Sequence, residues 1–143
     1  MLYSLIGWHP SFSALILRLA LGAVFIAHGY PKLFKAPGPK GFAQWLGSLK
    51  IPAPLFFAYV VGIAEFFGGI LLVLGLCTRL AALLIAVNMI VATWKVKFKT
   101  GLVTKVMEGS WAGGFELDMS LFAMAVALAA TGAGSFSVDA LLP

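Results

Sequence analysis

Four stretches of the chain are apolar almost without interruption, at about 12–30, 55–76, 79–95 and 113–131. Each approaches the roughly 20 residues that cross about 30 Å of hydrocarbon as a helix. The second and third are separated only by Cys77, Thr78 and Arg79, and so short a connection forces antiparallel neighbours. The pattern predicts an all-α fold: an integral membrane up-down four-helix bundle, forming a single domain over 1–143.

The two long connections differ from the runs around them. Residues 31–54 open on Pro31 and contain Pro37, Gly38 and Pro39, which interrupt a helix by removing donors and loosening the backbone. Phe42, Trp45, Leu46 and Leu49 then fall at i, i+3, i+4 and i+7, with Lys40, Gln44, Ser48 and Lys50 between them. That spacing predicts a short amphipathic helix lying in the interface plane. Residues 96–112 carry Lys97, Lys99, Lys105 and Glu108, with Trp111 marking the headgroup level, and Tyr30 and Trp94 read as interfacial aromatics.

Composition sharpens this picture. Apolar residues make up 62% of the chain and charged ones 10%, and the mean hydropathy is +1.03, well outside the range of soluble domains. Ten basic residues face five acidic ones. Lys32, Lys35, Lys40 and Lys50 fall on one long connection and Lys95, Lys97, Lys99 and Lys105 on the other, while the remaining connection carries only Arg79. Loop charge of this kind meets lipid headgroups and gives no nucleic-acid face. The positive-inside bias predicts both long connections in the cytoplasm and both termini outside. No basic region precedes the first apolar run and no small-x-small cleavage site follows it, so that run reads as a retained helix of a chain beginning at Met1.

Charge within the spans is costly, at about 2.5–3.5 kcal/mol per group on insertion scales, and Arg18, His28, Glu65, Asn88, Glu116 and Asp118 all lie there. At 1.5 Å per residue, Arg18 sits roughly 10 Å deep, Glu65 roughly 16 Å and Asn88 roughly 13 Å from the terminal side. The expectation is an Arg18–Glu65 ion pair with Asn88 as third partner, serving equally as a structural lock or as a ligand contact. Gly62 and Gly69 flank Glu65, and Gly22 and Gly29 follow Arg18, so small residues share the charged faces and permit close helix approach. His28, Glu116 and Asp118 fall at roughly 20–25 Å, near Lys32 and Lys95. Glu116 is expected to face inward, because Ser120, Ala123 and Ala127 continue its small face while Phe122 follows Asp118. His28 suits either a proton-carrying contact or a helix cap before Pro31.

With Cys77 alone, no intrachain disulfide or CxxC relay is available. His9 and His28 form no liganding cluster, so no metal is expected. Arg18-Leu19-Ala20 recurs as Arg79-Leu80-Ala81, and Gly62-x-x-Glu65 as Gly113-x-x-Glu116, a faint echo of a parallel repeat.

These segments together resemble the DoxX family. The resemblance rests on RLALGAVFIAHGYPKLF (Arg18 to Phe34), GFAQWL (Gly41 to Leu46), VGIAEFFGGILLVLGLCTRLAALLIAVNM (Val61 to Met89), GGFELDMSLF (Gly113 to Phe122) and TGAGSFSVDALL (Thr131 to Leu142), in that order. It implies a four-helix protein of the bacterial cytoplasmic membrane, loosely linked to thiosulfate oxidation coupled to quinone reduction and to oxidative or thiol stress. The positions that match are Arg18, His28, Gly29, Lys32, Glu65, Asn88, Glu116 and Asp139, and an Arg79–Asp139 tie would close the end where Arg18 lies. The leading expectation is a membrane subunit of a quinone-linked redox system. Arg18, Glu65 and Asn88 would line one side of a polar pocket, and His28 and Glu116 the other. No cofactor is built in; quinone is the candidate, and electrons would come from a partner redox subunit or a small reductant. A homo-oligomer is the other partner considered. The rival is a non-catalytic membrane anchor or assembly subunit; a small carrier is the third reading, disfavoured by the lack of broken helices.

Overall fold

The computed structural model describes residues 10–98, 101–107, 110–112 and 114–142. Of the residues named above, Met1, His9, Lys99, Glu108 and Gly113 lie outside them, as do the side chains of Lys105 and Trp111. The elements are α1 (Pro10–Leu33), α2 (Gly38–Ser48), α3 (Pro54–Leu74), α4 (Thr78–Ala92), β1 (Lys105–Met107), β2 (Ser110–Ala112) and α5 (Glu116–Thr131). α4 runs on through a π-helical turn, Thr93–Lys97, and a 3-10 turn, Asp139–Leu141, follows α5. Three of the helical stretches, Ser11–Leu33, Pro54–Leu74 and Thr78–Lys97, are long and apolar enough to cross a membrane.

Each long helix buries a single stripe. The buried positions are Ala14, Arg18, Leu21 and Phe25 on α1, and Ala58, Gly62, Glu65, Gly69 and Leu72 on α3. On α4 they run Thr78, Ala82, Ile85 and Met89, with Ala81 and Ala86 buried beside them, and on α5 Asp118, Leu121, Ala125 and Leu128. Alternating steps of four and three residues keep one narrow seam facing the partner helices, which favours shallow crossing angles. The opposite faces carry Phe56, Ile63, Phe67, Leu80, Leu83, Val87 and Ile90 exposed. A helix satisfies its own backbone hydrogen bonds, so such faces are stable against lipid tails.

Glycine sets the register of α1 against α3. A Cβ at Gly22 would lie 2.7 Å from the Gly69 carbonyl oxygen, one at Gly29 would lie 2.8 Å from the Phe66 Cα, and one at Gly62 would meet the Leu33 side chain. The two backbones touch because these positions are bare. Arg18 is thereby placed opposite Gly75, at one end of the molecule, and Glu65 opposite Gly29 and Lys32, towards the other.

The expected corner between the second and third spans forms: Gly75 and Cys77, at φ +68 and +49, reverse the chain and α4 starts at Thr78. Three local expectations are corrected. Pro31 does not stop α1, which ends at Leu33; only the last turn lies beyond the missing donor, and Phe34 N–H still bonds Tyr30 O at 2.9 Å. The amphipathic helix does form, over Gly38–Ser48, but it buries Ala43 and Leu46 against Ala58 of α3. The second long connection contains a two-stranded hairpin, with Lys105 opposite Ala112, and the last helix begins three residues later than the apolar run.

Candidate functional site

Polar groups gather at both ends of the packed helices, and the two ends do different work. At the corner end, Arg18 is completely buried and donates from Nη2 to the Phe136 carbonyl, in the segment after α5. Its guanidinium occupies the room that the bare Cα of Gly75 leaves open. Its Nε and Nη1 have no hydrogen-bond partner. The expected Arg18–Glu65 pair is therefore not formed. Depth counted from span ends assumed that both helices begin level, whereas the glycine contacts place Arg18 ten residues of α3 away from Glu65, roughly 15 Å.

The segment after α5 seals this end. Val138 N–H bonds Leu74 O at 3.2 Å, Asp139 N–H bonds Gly75 O at 2.8 Å, and Ser135 N–H bonds Ser11 Oγ at 3.0 Å. The Asp139 carboxylate accepts Cys77 N–H at 2.7 Å and Thr78 N–H at 2.9 Å, capping the start of α4 where free amides and the helix dipole favour a negative charge. Arg79 instead donates to the Ala129 and Ala130 carbonyls at 2.8 and 3.0 Å. The expected Arg79–Asp139 tie is thus replaced by two separate devices, one for each helix end.

Burial pushes the Asp139 carboxyl up, but the amides of Thr78 and Cys77 and the charge of Arg18 outweigh it, holding the group below the ordinary carboxylate value. A lowered folded value means that its stabilisation is complete above the ordinary range and is lost as pH falls through the folded value. Asp139→Asn should cost about 1 kcal/mol at neutral pH, and its thermal midpoint should converge on the wild type's as pH falls below about 5. A gap that stays constant with pH would show that the charge is irrelevant.

At the loop end, Lys32 Nζ lies 2.6 and 2.5 Å from the two Glu65 oxygens, and Asn88 donates to Glu65 Oε1 at 3.0 Å. Glu65 is 4% exposed, so this is a desolvated pair completed by a neutral donor from a third helix. Opposite it, Lys97 donates to Asp118 Oδ1 at 2.8 Å, and Thr93 Oγ1 makes a long contact of 3.5 Å with Asp118 Oδ2. Among the described residues these are the ion pairs the structure contains. Asp118, not Glu116, faces inward: it continues the buried stripe of Leu121, Ala125 and Leu128. Glu116 accepts the Thr104 amide at 2.9 Å and the Thr104 hydroxyl, and so pins the hairpin connection onto the start of α5.

Between the two ion pairs lies a cavity of about 170 Å³. His28, Lys32, Glu65, Lys97 and Asp118 line it, Trp45 of α2 stands at its side, and Phe25, Met89 and Leu121 close it. Two of the five expected ligand-contact residues, His28 and Glu65, reach this cavity directly. Asn88 reaches it through Glu65, while Arg18 and Glu116 are elsewhere. Lys32, Lys97 and Asp118 stand in the cavity outside those five. The stripe 118, 121, 125 and 128 is the signal for Asp118; Lys97 lies two residues beyond the apolar run that ends at 95 and carries no such signal.

Apolar exposed faces, helices of membrane-crossing length and a charged cavity at one end define a small helical membrane protein. The chain belongs to the DoxX family, whose description matches it over residues 13–98. It is 34% identical over 125 residues to "Putative oxidoreductase CatD" of Bacillus subtilis (strain 168), covering 87% of this chain and 83% of that one. It is 33% identical over 136 residues to "Uncharacterized membrane protein Rv3486" of Mycobacterium tuberculosis, covering 89% and 79%. It is 32% identical over 126 residues to "Inner membrane protein YphA" of Escherichia coli K12, covering 87% and 86%. No solved structure matches the chain.

Proposed function

We propose that this protein is a membrane subunit of a quinone-linked redox system that binds a quinone headgroup in the loop-end cavity. The observation that carries this reading is the pair of charged bridges facing one another across a space of about 170 Å³ with apolar walls. A cavity of about 150 Å³ is known to hold a benzene ring, so the volume suits a single six-membered ring. The donor set also suits it: quinone carbonyls only accept hydrogen bonds, and Lys32, Lys97 and His28 supply donors on facing walls. Glu65 and Asp118 hold the two ammonium groups in place, and Asn88 fixes the Glu65 carboxylate. A bound quinone supplies acceptance of two electrons and two protons. His28, exposed at the cavity's rim, is suited to pass protons to the aqueous side. The name of the Bacillus relative, an oxidoreductase, agrees with this reading. Electrons would enter from a partner subunit or a small reductant, thiosulfate being one candidate and thiols another.

The same reading covers placement. All four long helices would span the bacterial cytoplasmic membrane, the 16 residues of α5 reaching about 24 Å and starting just inside the headgroups. Lysines concentrated at the loop end would put that end, and the cavity, in the cytoplasm, with both termini outside.

Glu65→Gln keeps the shape of the side chain and removes its charge. Quinone retained on the purified protein, measured in organic extracts, should fall about tenfold or more, the scale of one charge-assisted hydrogen bond, while helicity and elution in mild detergent are unchanged. Binding that survives the substitution counts against the site. One observation favours a non-catalytic anchor: both ion pairs are complete without a ligand. On that reading no quinone co-purifies with the wild type, and any redox centre lies in other subunits of a larger complex.

A further inference from the structure

The cavity lies among α1, α3, α4 and α5, so a molecule dissolved in the bilayer can approach it between helices. A second space lies beside it on the lipid-facing side of α4 and α5, a crevice of about 300 Å³. Its walls are Ile90, Trp94 and Phe98 from α4 and its continuation, and Met119 and Phe122 from α5. Ile90, Trp94, Phe98 and Met119 are exposed. The crevice and the cavity share two residues, Met89 and Asp118.

The partition between the two spaces is therefore Met89 and the Asp118 side chain, with the groups that hold the carboxylate, Lys97 and Thr93. Those two residues lie on the π-helical turn. A π turn widens the helix locally and is found mostly where function needs it. Here Thr93 and Lys97, four apart and so on one side of the helix, both reach a single carboxylate.

We propose that the α4–α5 crevice is the lipid-side entrance to the cavity and holds the hydrocarbon tail of the ligand whose head sits within. This rests on the quinone reading above and names its substrate class more closely: a quinone bearing an isoprenoid tail, taken from the bilayer. The crevice offers a tail mostly apolar walls, with Thr93 and Asp118 only where it meets the cavity, and the polar cavity offers the head its donors. Asp118 marks the boundary between them. Passage of the head requires the Asp118 carboxylate to swing with Lys97, so this pair acts as a latch.

The test uses the full chain in lipid nanodiscs and a quinone whose isoprenoid tail carries a diazirine. Irradiation followed by peptide mass spectrometry reads which residues the tail touches. A tailless quinone with the same head serves as competitor. The expected result is labelling at Ile90, Trp94, Met119 or Phe122 that is lost when the competitor fills the cavity, and lost in Met119→Trp, which blocks the crevice. Competed labelling on α1 or α3 instead would overturn the entrance and leave the quinone site standing. Labelling that no competitor reduces, at the crevice or elsewhere, would mean that ordinary lipid chains occupy the crevice. The head would then not bind, and both proposals would fall.

Discussion

Gly29→Val is expected to prevent α1 and α3 from closing. The Cβ alone would stand 2.8 Å from the Phe66 Cα, a backbone atom that cannot step aside as a side-chain tip can. Overpacking of a core costs about 1–3 kcal/mol where side chains can adjust, so about 3 kcal/mol or more is expected where two backbones must separate. The thermal midpoint in detergent and the yield of monodisperse protein both report it. Gly47→Ala provides the control, since a Cβ there meets nothing nearer than the Pro54 ring at 3.9 Å. Equal behaviour of the two variants would show that the α1–α3 contact is looser than the structure has it.

The second large effect concerns Lys32 and Glu65. Removing one partner of a buried pair strands the other charge and costs about 3–5 kcal/mol. Lys32 retains 22% side-chain exposure and Glu65 only 5%, so Lys32→Met should fall at the upper end and Glu65→Leu nearer the lower, because a freed ammonium can reach water. The double replacement should be much milder than the sum. The corresponding cycle between Arg18 and Glu65 should be additive, since the two lie at different levels. Chemical denaturation of the purified protein measures both cycles. Coupling between Arg18 and Glu65 equal to that between Lys32 and Glu65 would contradict the register argued from the glycines.

What could be read from the chain divides along physical lines. The helices were legible because each is an unbroken apolar run, and the tight corner at Cys77 because three residues leave no choice of direction. The close approach of α1 and α3 was legible in Gly22, Gly29, Gly62 and Gly69. What remained hidden was the vertical offset between those helices. A shift of a few residues moves the partner of Glu65 from Arg18 to Lys32, and hydropathy is blind to it because neighbouring turns are equally apolar. The choice between Glu116 and Asp118 was misread for a related reason. Small residues follow Glu116 and imitate a packing face, while the true face is Asp118, Leu121, Ala125 and Leu128. The hairpin between α4 and α5 leaves no periodic trace in three-residue strands, and the π turn at Thr93–Lys97 has no sequence signature at all.

The seal at the corner end has a bearing on the order in which the molecule can be completed. The amide of Thr78 is capped by a residue 61 positions later, and the Arg18 guanidinium finds its carbonyl 118 positions later. Chain order brings α1, α3 and α4 out of the ribosome before Phe136 and Asp139. During synthesis the first helix therefore carries an uncompensated guanidinium and the third apolar span an open end. The last dozen residues are then the closing piece of the assembly, and a nascent chain released before them would hold inserted helices around an unfinished end.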